Sequence, residues 1–293
     1  MIFKLISGVF FLLLISCIGI QIGNAQSKKC AFVLDAKTNQ PVPFATVVSK
    51  GFGTFTDSTG IFYTNENVSD TFTISSIGYK EQNFVFSESL KCDTIYLESN
   101  PLTLSNIVIG KYSWLLNSFV DQIGMKNVKE TKHSTNVIEG VTIIKYFPHP
   151  DTAKDFIISS FSIRVSQKSP IYKPRKVRVK IFAPDINKKP GVDIIQTNEI
   201  ITIYKPTSDY VEMDLNKYHV VAPKDGYFIG LEFLTPKIDE SDAGSFSLPG
   251  KITKEFENGE VFIRYYTNVF RSFTFSASQK VNVFFNTRLY EYK

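Results

Sequence analysis

With 293 residues, 43% of them hydrophobic and 21% charged, the chain can bury a sizeable core, which excludes a disordered or low-complexity protein. A formal charge of +5 is too slight to mark a partner for nucleic acid or for an anionic membrane.

The first element is an export signal. Lys4 precedes an apolar run from Leu5 to Ile20, and Gly23-Asn24-Ala25 supplies the small residues of a cleavage site after Ala25. The run falls short of the ~20 residues that a helix needs to cross a bilayer. Leu14-Ile15-Ser16-Cys17 offers lipoprotein processing as an alternative, and lipidation of Cys17 is the one route to membrane association. Against it, Cys17 is followed by the apolar Ile18-Gly19-Ile20. Loss of residues 1–25 removes Lys4 and no acid, lowering the formal charge from +5 to +4. Cys30 and Cys92 then remain, in a chain bound for an oxidising space. Paired, they would close a loop of about 60 residues, worth ~4 kcal/mol in the chain-entropy model. Two free thiols are the other outcome.

A change in composition near Ser99 to Lys111 divides the mature chain into residues 29–98, a connecting stretch 99–135, and residues 136–293. In the first part, short strand runs at Ala31 to Asp35, Phe44 to Ser49, Phe52 to Thr56, Ile61 to Tyr63, Thr71 to Ser75, Tyr79 to Phe86 and Thr94 to Leu97 alternate with polar turns. In Thr56-Asp57-Ser58-Thr59-Gly60 the aspartate can accept backbone N–H bonds and the glycine can take positive φ. Spacing near ten residues predicts an antiparallel β-sandwich.

Four ordered stretches of this part, Val33-Leu34-Asp35-Ala36-Lys37-Thr38, Gln40-Pro41-Val42-Pro43-Phe44-Ala45-Thr46-Val47, Thr56-Asp57-Ser58-Thr59-Gly60-Ile61-Phe62 and Ser75-Ser76-Ile77-Gly78-Tyr79, resemble the carboxypeptidase-regulatory-like domain. The resemblance covers about residues 29–98. It implies a transthyretin-like (prealbumin-like) seven-stranded sandwich of the kind common in exported bacterial envelope proteins, and it does not imply peptidase activity. Ala31 departs from the family's usual glycine, which touches only a local bulge.

Between the two parts, Leu102 to Ile109 reads as extended. Trp114, Leu115, Leu116, Phe119, Val120 and Ile123 fall on one face of a short linking helix ending at Gly124. Longer strands follow at Val141 to Phe147, Phe156 to Ser166, Lys176 to Phe182, Ile194 to Ile203, Tyr210 to Leu215, Gly226 to Phe233, Glu260 to Thr267, Arg271 to Ser276 and Val281 to Tyr292. About nine strands predict a second sandwich, jelly-roll or galactose-binding-like. The stretches Val177 to Ala183, Lys189-Pro190-Gly191, Asp214-Leu215, Val221 to Gly226 and Phe228 to Glu232 resemble the β-sandwich partner that often follows the regulatory-like domain.

The search for chemistry is mostly negative. His133, in a polar run, His149, between two prolines, and His219, at a strand edge, read as solvated or turn residues without a zinc-ligand pattern. The chain has no Gly-x-Ser-x-Gly elbow, no neighbouring histidine that would turn a cysteine into a thiolate and no phosphate-cradling loop. Three features remain as binding candidates. Lys173, Arg175, Lys176, Arg178 and Lys180 form a basic strip, with Lys176, Arg178 and Lys180 on the outer face of one strand, read as an ordinary solvated face. The segment Pro236 to Pro249 carries Asp239, Glu240, Asp242 and Phe246 on a surface loop, and the turn Asn187 to Gly191 presents Asn187. Tyr265, Tyr266, Phe270, Phe273, Phe275, Phe284, Phe285 and Tyr290 crowd the C-terminal strands, half of them destined for the core.

The sequence therefore predicts an exported all-β protein of two sandwiches and one linking helix. Its role is a non-enzymatic binding or structural module of the bacterial cell envelope, in the periplasm, on the outer membrane or outside the cell, without cofactor, metal or nucleic acid. A glycan or an envelope protein is the expected ligand class, met by Asp239, Glu240, Asp242, Phe246 and Asn187. A hydrolase using carboxylates such as Asp239, Glu240 or Glu232, and an accessory subunit of an outer-membrane transporter, are the alternatives.

Overall fold

The computed structural model describes residues 29–50, 52–64, 71–87, 92–100, 119–122, 133–136, 140–165, 174–195, 197, 199–204, 210–234, 247–256, 259–266 and 269–292. Among these the protein is all-β, apart from one turn of 3-10 helix at Asn216–Tyr218.

The first seven strands are β1 (Lys29–Asp35), β2 (Thr46–Ser49), β3 (Phe52–Phe55), β4 (Ile61–Thr64), β5 (Phe72–Ser75), β6 (Gln82–Phe84) and β7 (Cys92–Leu97). They form two sheets, ordered β4-β1-β7 and β3-β2-β5-β6. Period-2 alternation sends Ala31, Val33, Phe62, Ile95 and Leu97 from one sheet and Val47, Phe72 and Ile74 from the other into a shared core. β1 and β7 run parallel with Cys30 opposite Cys92, and the two cysteines form a disulfide across a Cα–Cα distance of 4.4 Å. The turn before β4 is built as its residues allow. Asp57 Oδ1 accepts from the amides of Thr59 and Ile61 at 2.8 and 3.0 Å, and Gly60 takes φ +76°, where a Cβ would press on the Val33 carbonyl.

The remaining strands are β8 (Phe119–Gln122), β9 (His133–Asn136), β10 (Val141–Phe147), β11 (Asp155–Arg164), β12 (Arg175–Pro184), β13 (Pro190–Asp193), β14 (Ile201–Ile203), β15 (Tyr210–Asp214), β16 (Tyr227–Phe233), β17 (Ser247–Thr253), β18 (Val261–Tyr265), β19 (Arg271–Ser272), β20 (Thr274–Ser276), β21 (Gln279–Val283) and β22 (Phe285–Tyr292). The largest sheet runs β13-β12-β16-β10-β18-β19, with β14 also on β12; two four-stranded sheets run β15-β11-β22-β8 and β20-β21-β17-β9. One core joins all three, drawing Ile143, Val179 and Leu231 from the first, Phe161 and Leu289 from the second, and Leu248 and Val283 from the third.

Several sequence expectations change here. Phe119–Gln122, expected in the linking helix, is a strand paired antiparallel with β22, Val120 opposite Leu289. Helical periodicity in a short apolar stretch loses to a sheet edge that needs a partner. The remainder of that helix and Leu102 to Ile109 lie outside the described residues. The single run Val281 to Tyr292 is two strands, because the chain changes sheets at Phe284, as sandwich corners do. The run Ile194 to Ile203 is likewise divided, with only Ile201–Ile203 in the ladder and Pro190–Asp193 taking the opposite end of β12.

Candidate functional site at the domain seam

The site grows from alternation in the largest sheet. In β10, β12, β16 and β18 one set of side chains enters the core, so the other set lies on the far face of the sheet. Register then lines that far face up in rows. Arg178 stands opposite Glu232, Glu232 opposite Thr142, and Thr142 opposite Arg264. One row along, Lys180 and Ile144 both stand opposite Gly230, and Ile144 opposite Phe262. This face is covered. Ile144, Phe182, Phe228 and Phe262 pack into a second cluster with Tyr146 and Phe270 on one side of the charged row. On its other side Leu234, Ile200 and Tyr266 meet Phe44 and Phe55 of the N-terminal domain.

The two domains are locked there by an aromatic side chain. The Tyr266 ring lies 5.6 Å from that of Phe55, and a methyl group placed on Gly53 of β3 or on Gly140 before β10 would overlap it. Phe44 and Tyr266, two of the three aromatic residues of this contact, both hold left-handed backbone, with φ of 54° and 37°. That conformation is costly for a side chain with a Cβ and persists where surrounding packing enforces it. Thr56 contributes to that enforcement, its buried hydroxyl donating to the Val42 carbonyl at 2.8 Å and accepting from the Ala45 amide at 2.9 Å. The Phe44 carbonyl in turn accepts from Arg178 Nη2 at 3.3 Å, across the seam.

Between the domains lies a cavity of about 270 Å³. The N-terminal domain lines it with Phe44, Thr46, Phe55, Ser75, Ser76 and Ile77; the second domain adds Gly140, Thr142, Arg178, Lys180, Glu232, Arg264 and Tyr266. Arg178 and Glu232 are only 4% and 7% exposed and join at 2.7 Å. Lys180 pairs with Asp193 at 2.8 Å. Arg264 is less fully used. Its Nε donates to the Thr142 hydroxyl at 3.3 Å, its Nη2 stands 3.9 Å from Glu232, and its guanidinium lies 4.6 Å from the Phe270 ring centre. Burial by itself would raise the Glu232 carboxyl, but Lys180, Arg178 and Arg264 outweigh it and hold the group below the usual carboxylate range. Burial lowers Arg264, opposed by Glu232 and Asp193.

The structure redistributes the sequence candidates. Lys176, Arg178 and Lys180 do share a face, but Arg178 and Lys180 are buried under the N-terminal domain, and the Lys176 ammonium lies 5.0 Å over the Phe44 ring. The expected solvated strip is an interdomain contact. Asp239, Glu240, Asp242 and Phe246 lie outside the described residues, and Pro249 belongs to β17, opposite Ser134. Asn187 is exposed in a turn organised by Asp185 Oδ1, which accepts from the Asn187 and Lys189 amides at 2.8 Å, and it does not line the cavity. His149 lies half-buried in a connection. Its ring packs edge-on to Phe156 at 5.4 Å, with both nitrogens shielded and unpartnered among the described residues. No group of histidine, cysteine and acidic residues with metal-binding geometry occurs among the described residues. Of the crowded aromatics, Phe284 and Phe285 enter the core, while Tyr266 and Phe270 serve the seam and the flank of Arg264.

Residues 32–109 match the model of the CarboxypepD_reg-like domain. The matched residues hold most of β1, all of β2 to β7 and the N-terminal wall of the cavity. No curated protein matches the chain. Arg264 was the residue that sequence reading missed. Its signal is a lone charge in the otherwise apolar Val261-Phe262-Ile263-Arg264-Tyr265, and Glu232 carries the same signal in Tyr227–Phe233.

Proposed function

We propose that the protein is an exported, non-enzymatic binding module of the bacterial cell envelope, built from a prealbumin-like and a jelly-roll-like sandwich, that takes its ligand at the seam between them. The observation that carries this reading is the cavity in which hydroxyls from one domain face a row of buried charges from the other. Such a concave site, apolar at its margins with a few convergent polar groups, is the usual form of a small-ligand site. The apolar N-terminal run and the Cys30–Cys92 disulfide support export, since disulfides persist in oxidising compartments. The match to a CarboxypepD_reg-like domain supports a module without catalysis of its own. The cavity's chemistry agrees, because among the described residues its lining holds one carboxylate, Glu232, kept ionised by cations and so unsuited to act as a general acid.

A glycan and peptide array probed with residues 26–293 tests the reading. Binding that disappears when Ser76→Trp fills the cavity, with the circular dichroism unchanged, is the expected result. Binding that survives Ser76→Trp places the ligand elsewhere and refutes the seam as the site. Cell fractionation accompanies it, with the mature chain expected outside the cytoplasm and beginning at Gln26.

A further inference from the structure

Resting on the seam as the ligand site, the charge balance of the cavity names the class of ligand. Among the described residues three cations line the cavity, Arg178, Lys180 and Arg264, and two carboxylates pair with them, Glu232 and Asp193. Within this set one positive charge is left over. Its least-committed carrier is Arg264. Among the described residues its guanidinium makes one hydrogen bond, to Thr142, and its distance of 3.9 Å to Glu232 is beyond hydrogen-bond reach. Arg178, deeper in the row, has a buried Nε without a hydrogen-bond partner among the described residues. With its side chain 18% exposed, Arg264 is largely covered, and uncommitted donors and a surplus cation at such a position are costly unless an anion meets them.

We infer that the cavity is a carboxylate site for a small acidic ligand. Arg264 presents a planar fork of donors that suits the two oxygens of a carboxylate. The Phe270 and Phe182 rings flank that fork, their centres 4.6 and 5.4 Å from its central carbon. Thr46, Ser75 and Ser76, hydroxyls that both donate and accept, line the opposite wall and suit the neutral polar remainder of such a ligand. A volume of about 270 Å³ falls just below the ~300–1,000 Å³ of drug-sized pockets, which limits the occupant to about one sugar ring or one amino acid. The carboxylate can come from a uronic acid or from the free end of a peptide; both present the same group to Arg264.

Titration calorimetry on residues 26–293 with D-glucuronate, N-acetyl-alanine and D-glucose tests this and separates the two sources. The expected result is binding of one or both acids, no comparable binding of glucose, and a loss of at least about tenfold in affinity in Arg264→Gln. Arg264→Lys, which keeps the charge and loses the fork, falls between the two and serves alone should Arg264→Gln not fold. Glucose binding as tightly as glucuronate, or acid binding indifferent to both Arg264 variants, overturns the carboxylate assignment while leaving the seam as a ligand site. No binding by any arm at 10-millimolar levels, on the order of the weakest useful site, overturns the carboxylate assignment; should the array signal also survive Ser76→Trp, the seam reading falls with it.

Discussion

Replacing Glu232 by glutamine removes the one carboxylate that the Arg178 and Arg264 guanidiniums share. The side chains of Arg178 and Glu232 are 5% and 9% exposed, so this is a buried pair in which solvent takes over little of the lost interaction. Breaking a buried pair from one side costs ~3–5 kcal/mol, because a charge is left without compensation. Glutamine keeps the volume and can still accept one hydrogen bond from Arg178, which places the expected cost near the low end, ~3 kcal/mol, or on the order of 100-fold in the folding constant. Arg178→Met should cost a similar amount, leaving Glu232 with Arg264 at 3.9 Å. The double variant should lose less than the two singles together by ~1–3 kcal/mol. Urea denaturation, which does not screen charge, followed by circular dichroism at pH 7, measures all three. Because the folded-state pKa of Glu232 lies below its ordinary value of ~4.3, its contribution is complete above that value and lost as pH falls through the folded-state pKa. The deficit of Glu232→Gln should therefore shrink only in strong acid. A cost within ~0.5 kcal/mol of zero, additive with Arg178→Met, is how an exposed pair behaves, and would refute a covered charge row.

Other outcomes follow from the same packing. Gly140→Ala should destabilise the chain by ~2 kcal/mol or more in the same urea assay, since the glycine has φ +78° and its new methyl meets the Tyr266 ring; Gly53→Ala should also destabilise, by displacing that ring from the seam. In the Tyr266→Ala background Gly53→Ala should cost little, and an undiminished cost would separate the two effects. Breaking the Cys30–Cys92 bridge, which spans a separation of 62 residues, should lower stability by ~4 kcal/mol, read as a reduced urea midpoint in the Cys30→Ala, Cys92→Ala variant. Burial, and next Lys224, hold His149 below its ordinary pKa of ~6.5, so its share of stability is complete above that value and lost as pH falls through the folded-state pKa. Denaturation at pH 7 and pH 5 should show a decline in the wild type that is reduced in His149→Phe.

How much of this could be read from the chain depends on which interactions are local. Turn chemistry is local, so Asp57 and Gly60 could be assigned their roles from five residues. Alternation is local too, and it placed Arg178 and Lys180 on one face of a strand correctly. What covers that face is set by residues more than a hundred positions away, Phe44 and Phe55, so alternation by itself predicts a solvated face. A signal of double-sided burial did exist. Tyr227–Phe233 is apolar at nearly every position and is buried throughout, as strands covered on both faces are. In such a strand Glu232 is conspicuous, and so is Arg264 in β18; pairing them required the register of β16, β10 and β18, which alternation alone does not supply. The linking helix failed for a related reason: Phe119–Gln122 has no local pattern that announces a partner in Phe285–Tyr292, at the far end of the chain.

The central claim is that the N-terminal domain closes over the charged row of the second domain with the Tyr266 ring wedged between Gly53 and Gly140. Nuclear Overhauser contacts from the Tyr266 ring protons to the α protons of both glycines, in residues 26–293 labelled at tyrosine and glycine, measure this directly. Contacts to Gly53 and Gly140 together are expected; contacts to Gly140 with none to Gly53 would mean that the domains stand apart, that the charged row faces water, and that the seam holds no cavity.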